Sequence, residues 1–481
     1  MTHQTPIVLT GAFAPVTDEV VIDKFEIEGE VPRDLNGVYV RNGPNRMFEA
    51  DGRYHWFDGD GMLHAVRFDN GRVEYRNRWV ETRALAEEKR AGRALWSGIK
   101  EPPRRDRPDM PLKCTSNTDV KFFGGDLLSM WYLGGDIYRC DPLSLATRGR
   151  LQENAALAGL PLSAHSKVDE RTGEFLFFAY GTKAPYLWYG SLDRHGTLQG
   201  IVDVPTPGPR LPHDMAITAN HVVLHDFPLF HDAEALRVGR HKLRFHPDMP
   251  SRFAVVPRRS GAGGVRWFEA APTFMYHVAN AWEQDDGAGG TEIVMRGTPF
   301  RLPRTAGGEI DSDRFAKMVA TLGNDFVFHE WRLNLRTGST AERVIDDIVN
   351  SEFPCIDSAY QGHRTDKSWH LLMGRSDRPE DPQFRGLVHY DLARGRSVSY
   401  HEGPERWWSE APFAPRDNPK GEGDGYVVGF VWNGAERKSK VYVFDADDIA
   451  QGPICRITVP RIVPNGFHAT WVSAARLARG Y

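Results

Sequence analysis

Short runs of β-forming residues recur along the whole chain, and many of them are separated by a turn that ends near a glycine. Residues 37–41, 174–180 and 425–431 are typical runs, rich in valine, tyrosine and phenylalanine. Turns such as residues 69–71 (DNG) and 334–338 (NLRTG) separate them, and glycine adopts there the positive φ that a hairpin needs. Hairpins repeated over this length favour an all-β fold that closes on itself, because closure removes exposed strand edges.

Helical patterns are few, and no linker divides the chain. Apolar residues recur three or four positions apart in residues 81–95, which predicts a helix there, and residues 309–321 are a second candidate helix. No sequence repeat of about 40–50 residues marks individual blades, so periodicity alone does not establish a propeller. With 481 residues, 41% of them hydrophobic, the chain can bury a large core. We predict a single domain over residues 1–481, with residues 1–20 as an N-terminal extension.

Composition excludes several functional classes. The 60 Lys and Arg residues nearly balance the 64 Asp and Glu residues, which argues against a nucleic-acid-binding surface. The four cysteines, Cys114, Cys140, Cys355 and Cys455, form no C-x-x-C pair, and scattered thiols are typical of a reducing compartment. The N-terminal residues lack a secretory pattern, and no apolar stretch reaches the roughly 18 residues that a spanning helix needs. These features predict a soluble, cytoplasmic protein.

Four of the 18 histidines lie in distinctive local segments far apart in the sequence. They are His165 in SAHS, His213 in LPHDM, His277 in YHVANAWE and His468 in GFHATW. Their separations are not those of a zinc finger or ribbon, but they suit a metal on the axis of a radial fold with one ligand from each of several blades. Taken alone, each such histidine is more often a hydrogen-bonded structural residue than a ligand.

Longer segments resemble the carotenoid cleavage oxygenase family, which also includes stilbene- and phenylpropenoid-cleaving enzymes. The resemblance runs from about residue 25 to the C-terminus, and the segments keep the family's order. They are residues 36–45 (NGVYVRNGPN), 55–62 (HWFDGDGM), 212–218 (PHDMAIT), 277–283 (HVANAWE), 352–357 (EFPCID) and 466–468 (GFH).

The resemblance implies an all-β, seven-bladed β-propeller with loops and short helices covering an axial metal site. It implies one Fe(II) per chain, held by His165, His213, His277 and His468, with O₂ as co-substrate. Neutral imidazole suits iron(II), and two positions of a six-coordinate ion stay open. The implied activity is that of a non-haem iron dioxygenase that cleaves the C=C bond of an apocarotenoid or aryl-alkene into two carbonyl products. An apolar substrate agrees with the 11% aromatic content.

Family glutamates orient the iron-bound imidazoles, and two of them are matched here. The resemblance implies that Glu352 supports His277 and that Glu410 supports His468. For either glutamate, the alternative is an ordinary surface carboxylate. Thr118 matches a family position whose side chain crowds one open coordination site, and an ordinary strand threonine is the alternative.

A third family glutamate is missing from this sequence. In residues 127–135 (LLSMWYLGG), Tyr132 or Leu133 stands where the family has it. We therefore expect His213 to lack its usual carboxylate partner and iron binding to be weaker or altered. Stilbene-cleaving members carry a lysine directly before that glutamate, whereas this chain has Trp131 or Tyr132. This argues against a typical stilbene-cleaving enzyme.

Two further segments have both a structural and a functional interpretation. Residues 58–61 (DGDG) are predicted to form a tight turn in which side chains do not fit, and the neighbouring Phe57 is a candidate for the substrate tunnel. Residues 226–250 match a family region that forms an apolar patch, which suggests peripheral membrane contact, although a solvated loop is equally compatible.

Two other functional classes stay open from sequence alone. One is a propeller hydrolase or lactonase that uses a divalent metal such as calcium, although calcium sites use oxygen ligands. The other is a metal-free propeller that serves as a binding scaffold. The sequence does not identify the alkene, the bond cleaved or the oligomeric state.

Overall fold

The chain folds into consecutive β-sheets. A computed structural model describes residues 5–237, 242–259, 264–376, 378 and 380–480. These residues form seven sheets of four to six strands, numbered I to VII here, and one additional two-stranded sheet. The seven sheets are the blades of a seven-bladed β-propeller, which confirms the predicted fold class.

The first of two compact units comprises Met1–Ala164, Phe384–His389 and Val398–Tyr481. It contains sheets I, II and VII. In order across each sheet, the strands are Val21–Ile22, Arg72–Trp79, Asp60–Asp69, Gly37–Asn45 and Ala469–Ser473 in sheet I; Asp119–Phe123, Asp126–Met130, Tyr138–Cys140 and Thr147–Arg150 in sheet II; and Glu26–Gly29, Cys455–Val459, Lys438–Asp445, Gly425–Asn433 and Arg406–Trp408 in sheet VII, where Phe413–Pro415 also pairs with Gly425–Asn433.

The N- and C-terminal parts of the chain pair with each other in this unit. Strand Gly37–Asn45 pairs with Ala469–Ser473 in sheet I, and Glu26–Gly29 pairs with Cys455–Val459 in sheet VII. Both pairs are antiparallel, and together they join the ends of the chain through backbone hydrogen bonds. Such pairing protects strands that would otherwise be exposed edges.

The second compact unit comprises His165–Gln383 and Tyr390–Ser397. It contains sheets III, IV and V and most of sheet VI. The strands are Lys167–Asp169, Glu174–Tyr180, Leu187–Leu192 and Leu198–Asp203 in sheet III; Met215–Ile217, His221–Asp226, Ser251–Pro257 and Arg266–Ala270 in sheet IV; Met275–Asp285, Thr291–Pro299, Phe328–Asn334 and Thr340–Asp346 in sheet V; and Ser351–Cys355, Lys367–Met373, Phe384–Asp391 and Arg396–Tyr400 in sheet VI.

Both predicted helices are present, with shorter bounds. The first is Arg83–Ala91, because the Thr82 hydroxyl accepts the Leu85 N–H at its start and Gly92 adopts a left-handed conformation at its end. None of the helices in the described part of the chain is long and apolar enough to cross a membrane. The α-helices are Arg83–Ala91, Ala233–Arg237, Ser312–Ala320 and Ala474–Arg479, and the 3₁₀ helices are Ile7–Leu9, Gly11–Phe13, Trp56–Asp58, Leu151–Glu153, Ala155–Leu157, Ser358–Tyr360 and Ile449–Gln451.

The predicted N-terminal extension is part of the first unit. Phe13 is buried, and the Asn465 N–H donates to the Ala12 carbonyl at 2.7 Å. The Val16 N–H donates to the Asn45 side chain at 2.9 Å. Residues 1–4 of this extension lie outside the described residues. The part that is described is therefore held by specific contacts.

Residues 58–61 form the end of a 3₁₀ helix and the start of a strand, so the predicted tight turn was wrong. The prediction that side chains do not fit there is confirmed. A Cβ added to Gly61 would lie 2.3 Å from the Ser116 carbonyl oxygen, and one added to Gly59 would lie 2.7 Å from the Asn45 nitrogen. Backbone approaches this close exclude any side chain.

The described residues of segment 226–250 include a two-stranded sheet in which other side chains partly cover Phe230. Leu229–His231 pairs with Leu243–Phe245 in the two-stranded sheet. The Phe230 ring stacks on His246 with centroids 4.3 Å apart, and the Arg210 guanidinium lies 4.1 Å from the Phe230 centroid. Residues 238–241 lie outside the described residues, and membrane contact stays a prediction.

Sheet V contains a buried carboxylate, Glu330, that three arginines neutralise. It lies 2.9 Å from Arg296, 3.1 Å from Arg332 and 2.8 Å from Arg343. Burial raises the pKa of Glu330, but hydrogen bonds from Arg343 and Arg296 outweigh it and hold the pKa at about 2. Between pH 4.5 and 2 the unfolded chain therefore binds more protons than the folded chain. The contribution of Glu330 to the free energy of unfolding is full above pH 4.5 and declines as the pH falls.

We expect Glu330→Gln to flatten the acid dependence of stability. The wild-type free energy of unfolding should decline by up to about 3 kcal/mol more than that of the variant as the pH falls from 7 towards 2. Urea unfolding at several pH values measures the difference. Equal slopes for the two proteins would contradict this account of the Glu330 cluster.

Candidate functional site

Two of the predicted histidines have a strained backbone conformation. His165 precedes strand Lys167–Asp169 and His213 precedes strand Met215–Ile217, so both stand at the start of the first strand of a blade. Their φ angles are +65° and +59°, in the left-handed region that residues other than glycine rarely adopt. Such conformations persist where the surrounding structure fixes them, and they cluster at functional sites.

His277 also occupies an irregular position in its strand. It lies in Met275–Asp285, the first strand of sheet V. The register with the next strand shifts between Met275 and Val278 and again between Val278 and Asn280. Bulges of this kind redirect side chains and are frequent next to active sites.

The rings of these three histidines lie together in the second unit. The centroid distances are 4.6 Å from His165 to His213, 5.0 Å from His165 to His277 and 5.3 Å from His213 to His277. His165 and His277 are buried, and His213 is partly buried. Residues far apart in the sequence therefore present imidazoles to one small region.

One group of potential metal ligands is found among the described residues. His165, His277 and His468 each offer a ring nitrogen, and these nitrogens all lie within 4.8 Å of one another. All three residues are buried. His213 is not a member of this tight group, although its ring adjoins that of His165. A set of imidazole nitrogens suits iron, zinc, copper or nickel, whereas calcium prefers oxygen.

The Glu352 carboxylate contacts the ring of His277. The Nδ1 atom of His277 lies 2.8 Å and 2.7 Å from the two carboxylate oxygens. Glu352 also accepts hydrogen bonds from the Thr298 hydroxyl, at 2.8 Å, and from the Phe353 N–H. A neutral ring that donates from Nδ1 keeps its lone pair on Nε2, which is the tautomer that a metal ligand needs.

Glu410 makes the corresponding contact in the first unit. Its Oε1 atom lies 3.1 Å from Nδ1 of His468, and its other oxygen accepts the Ala469 N–H. The Tyr39 hydroxyl donates to the Glu410 carbonyl at 3.0 Å, which holds the backbone beside the carboxylate. Both glutamates are therefore buried partners of a histidine rather than surface carboxylates.

Thr118 lies beside His468, directly before strand Asp119–Phe123. Its carbonyl oxygen accepts the His468 N–H at 3.1 Å. Its hydroxyl donates to the Asn117 side chain at 3.0 Å and accepts the Tyr132 N–H at 3.3 Å. Thr118 thus links the loop after the second strand of sheet II to the histidine segment.

The segment that lacks the third family glutamate is a turn. The Gly134 N–H donates to the Trp131 carbonyl at 3.1 Å, with Tyr132 and Leu133 between them. Trp131 is buried in a hydrophobic cluster, and the Tyr132 ring packs against Phe57 with centroids 4.7 Å apart. Packed aromatic side chains therefore stand where the family has its third glutamate.

An aromatic residue directly precedes His468 in the first unit, and another adjoins His213 in the second. In the first unit, Phe57 contacts Phe467 at 4.5 Å between centroids, and Trp56 contacts Phe467 at 4.3 Å. In the second unit, the Tyr276 ring lies 4.8 Å from that of His213. Such surroundings suit an apolar ligand.

Three polar residues close to the histidines were missed by the sequence analysis. They are Thr298, which donates to Glu352, and Lys167 and Asp214, which form an ion pair with each other. Asp214 directly follows His213 in the PHD segment, so an acidic residue next to a candidate ligand was a visible signal. Thr298 and Lys167 carry no local signal, because only the fold brings them to the site.

Comparison with known proteins identifies related enzymes. Residues 13–473 match the family described as RPE65, retinal pigment epithelial membrane protein. The chain is 30% identical to carotenoid 9,10(9',10')-cleavage dioxygenase 1 of Arabidopsis thaliana over 503 residues, covering 98% of this chain and 90% of that protein. It is 29% identical to lignostilbene-alpha,beta-dioxygenase isozyme III of Sphingomonas paucimobilis, covering 98% and 97% of the two chains.

A solved structure agrees with these matches. The crystal structure of Pseudomonas brassicacearum lignostilbene dioxygenase superposes with a TM-score of 0.83 at 28% identity, covering 98% of this chain and 99% of that chain. Fold and sequence thus point to the same group of proteins over nearly the whole chain.

Proposed function

The chain belongs to the retinal pigment epithelial membrane protein family of carotenoid cleavage oxygenases, and we propose that it is a non-haem Fe(II) dioxygenase that splits an alkene C=C bond. Membership makes it an oxygenase enzyme. The observation that carries the proposal is the buried group of imidazole nitrogens from His165, His277 and His468.

The proposed iron ligands are those three histidines together with His213. His213 is included because its ring centroid lies 4.6 Å from that of His165. Glu352 and Glu410 would hold the His277 and His468 rings with Nε2 available. When bound, ferrous iron supplies the binding and activation of O₂. We propose that the Thr118 segment narrows the access to one open position.

The proposed reaction incorporates one O₂ molecule into the two halves of the alkene. Both bonds of the C=C group break, two C=O bonds form, and the four electrons that the carbons lose reduce the two oxygen atoms. The Tyr276 ring, whose centroid lies 4.8 Å from that of His213, would hold the alkene, and its face would favour a partial positive charge on it.

We propose an apocarotenoid or a non-phenolic aryl-alkene as the substrate class. The resemblance places a phenol-binding lysine of stilbene-cleaving members where this chain has Trp131 or Tyr132. Neither side chain carries the positive charge that a lysine would offer to a phenol. Trp131 is buried in the core, and Tyr132 packs on Phe57. The four cysteines are free thiols, which supports the cytoplasm as the proposed compartment.

A single experiment tests the proposed function. Purified protein is reconstituted anaerobically with Fe(II), exposed to ¹⁸O₂ and offered apocarotenoids, stilbenes and phenylpropenoids, and aldehydes are detected by mass spectrometry. We expect one iron per chain and ¹⁸O in both carbonyl products. Binding of calcium without iron, or no stable metal binding, would contradict the proposal and support a hydrolase or a scaffold instead.

A further inference from the structure

A buried carboxylate, Asp214, contacts the segments that carry three of the histidines. Its Oδ1 atom lies 2.7 Å from the ammonium of Lys167, two residues after His165. Its Oδ2 atom accepts the Val278 N–H at 2.8 Å, directly after His277. Asp214 itself follows His213, and it is only 1% exposed. One side chain therefore joins all three segments.

Two of these segments leave regular strand pairing near Asp214. The Asp214 N–H donates to the Pro212 carbonyl at 2.7 Å, which closes a tight turn around His213 at φ +59°. Val278 lies between two register shifts of its strand, and its N–H points to the carboxylate. Asp214 thus supplies the acceptor that the hydrogen-bond ladder does not provide there.

We propose that Asp214 is a positioning residue that holds the His165, His213 and His277 segments in the geometry required for metal binding. The inference rests on the proposed function. It explains how His213 is positioned although the third family glutamate is missing from this chain. Asp214 holds the backbone of His213 from the next position in the chain, and its carboxylate also holds the segments of His165 and His277.

Asp214→Asn is a sharp test because an amide cannot replace this carboxylate. Oδ1 faces the Met215 N–H, at 2.7 Å, and Lys167, whereas Oδ2 faces the Val278 N–H, so both sides face donors. An asparagine has only one acceptor oxygen, and its NH₂ group would oppose a donor in either orientation. We expect the affinity for Fe(II) and for Co(II) to fall about 10–100-fold.

Glu330→Gln is the matched control, since Glu330 is equally buried in the same unit and its partners are arginines of sheet V. Anaerobic titration gives the metal affinity, the visible absorption of bound Co(II) reports ligand geometry, and thermal unfolding reports stability. We expect both variants to lose stability, but only Asp214→Asn to lose metal affinity and to change the Co(II) spectrum.

The outcomes separate this inference from the proposed function. Wild-type affinity and an unchanged Co(II) spectrum in Asp214→Asn would overturn the positioning role, with the oxygenase proposal intact. A wild-type protein that binds neither metal would overturn both. If Asp214→Asn does not fold, Asp214→Glu decides, because it keeps the charge but displaces the oxygens. We expect at least about fivefold weaker binding from it, and unchanged binding would overturn the inference.

Discussion

Replacing His277 with alanine is expected to abolish turnover and iron retention while the propeller stays folded. His277 belongs to the group of three histidines whose ring nitrogens lie within 4.8 Å of one another. Loss of a residue that only supports a ligand costs about 10–100-fold, so loss of the ligand itself should exceed about 100-fold. Iron content, aldehyde production and far-ultraviolet circular dichroism check the three parts of this prediction.

His221→Ala is a closely matched control. The Nδ1 atom of His221 lies 2.9 Å from Glu283, so this residue also forms a histidine–glutamate pair in the second unit. His221 is not among the grouped histidines. We expect its variant to retain iron and activity. An active His277→Ala enzyme, or equal losses in both variants, would refute the assignment of His277 as a ligand.

Much of the fold was predictable because its signals are local. The pattern of residues 174–180 predicts a strand, and the structure has Glu174–Tyr180 as a strand. The helix predicted at residues 81–95 is shorter in the structure, because Thr82 caps its start and Gly92 caps its end. Ala474–Arg479 was missed although Ser473 caps it, because a helix of six residues is too short to show periodicity.

The site was less predictable, since its geometry depends on distant contacts. The sequence positions of His165 and His213 give no indication of a left-handed backbone, which normally favours glycine. The register shifts around His277 likewise have no local signal. Resemblance to a family supplied the set of histidines, and the missing third glutamate was visible only as a departure from the family pattern.

Glu352→Gln should weaken iron binding about 10–100-fold without removing a ligand. Both carboxylate oxygens accept hydrogen bonds, one from Thr298 and the other from the Phe353 N–H, and both lie within reach of Nδ1 of His277. A glutamine would turn its NH₂ group towards one of these donors. The imidazole would then face one neutral acceptor oxygen instead of two carboxylate oxygens, so its proton would be held less firmly on Nδ1 and its orientation would relax.

The two kinds of variant should differ in their response to added iron. Saturating Fe(II) should restore most of the turnover of Glu352→Gln, because all proposed ligands are present and only their affinity is lower. The same addition should not rescue His277→Ala, which lacks a donor atom. Glu283→Gln is the control, since Glu283 pairs with His221 outside the histidine group. Unchanged iron affinity in Glu352→Gln would contradict its role, because a carboxylate that fixes a ligand's tautomer must contribute to metal binding.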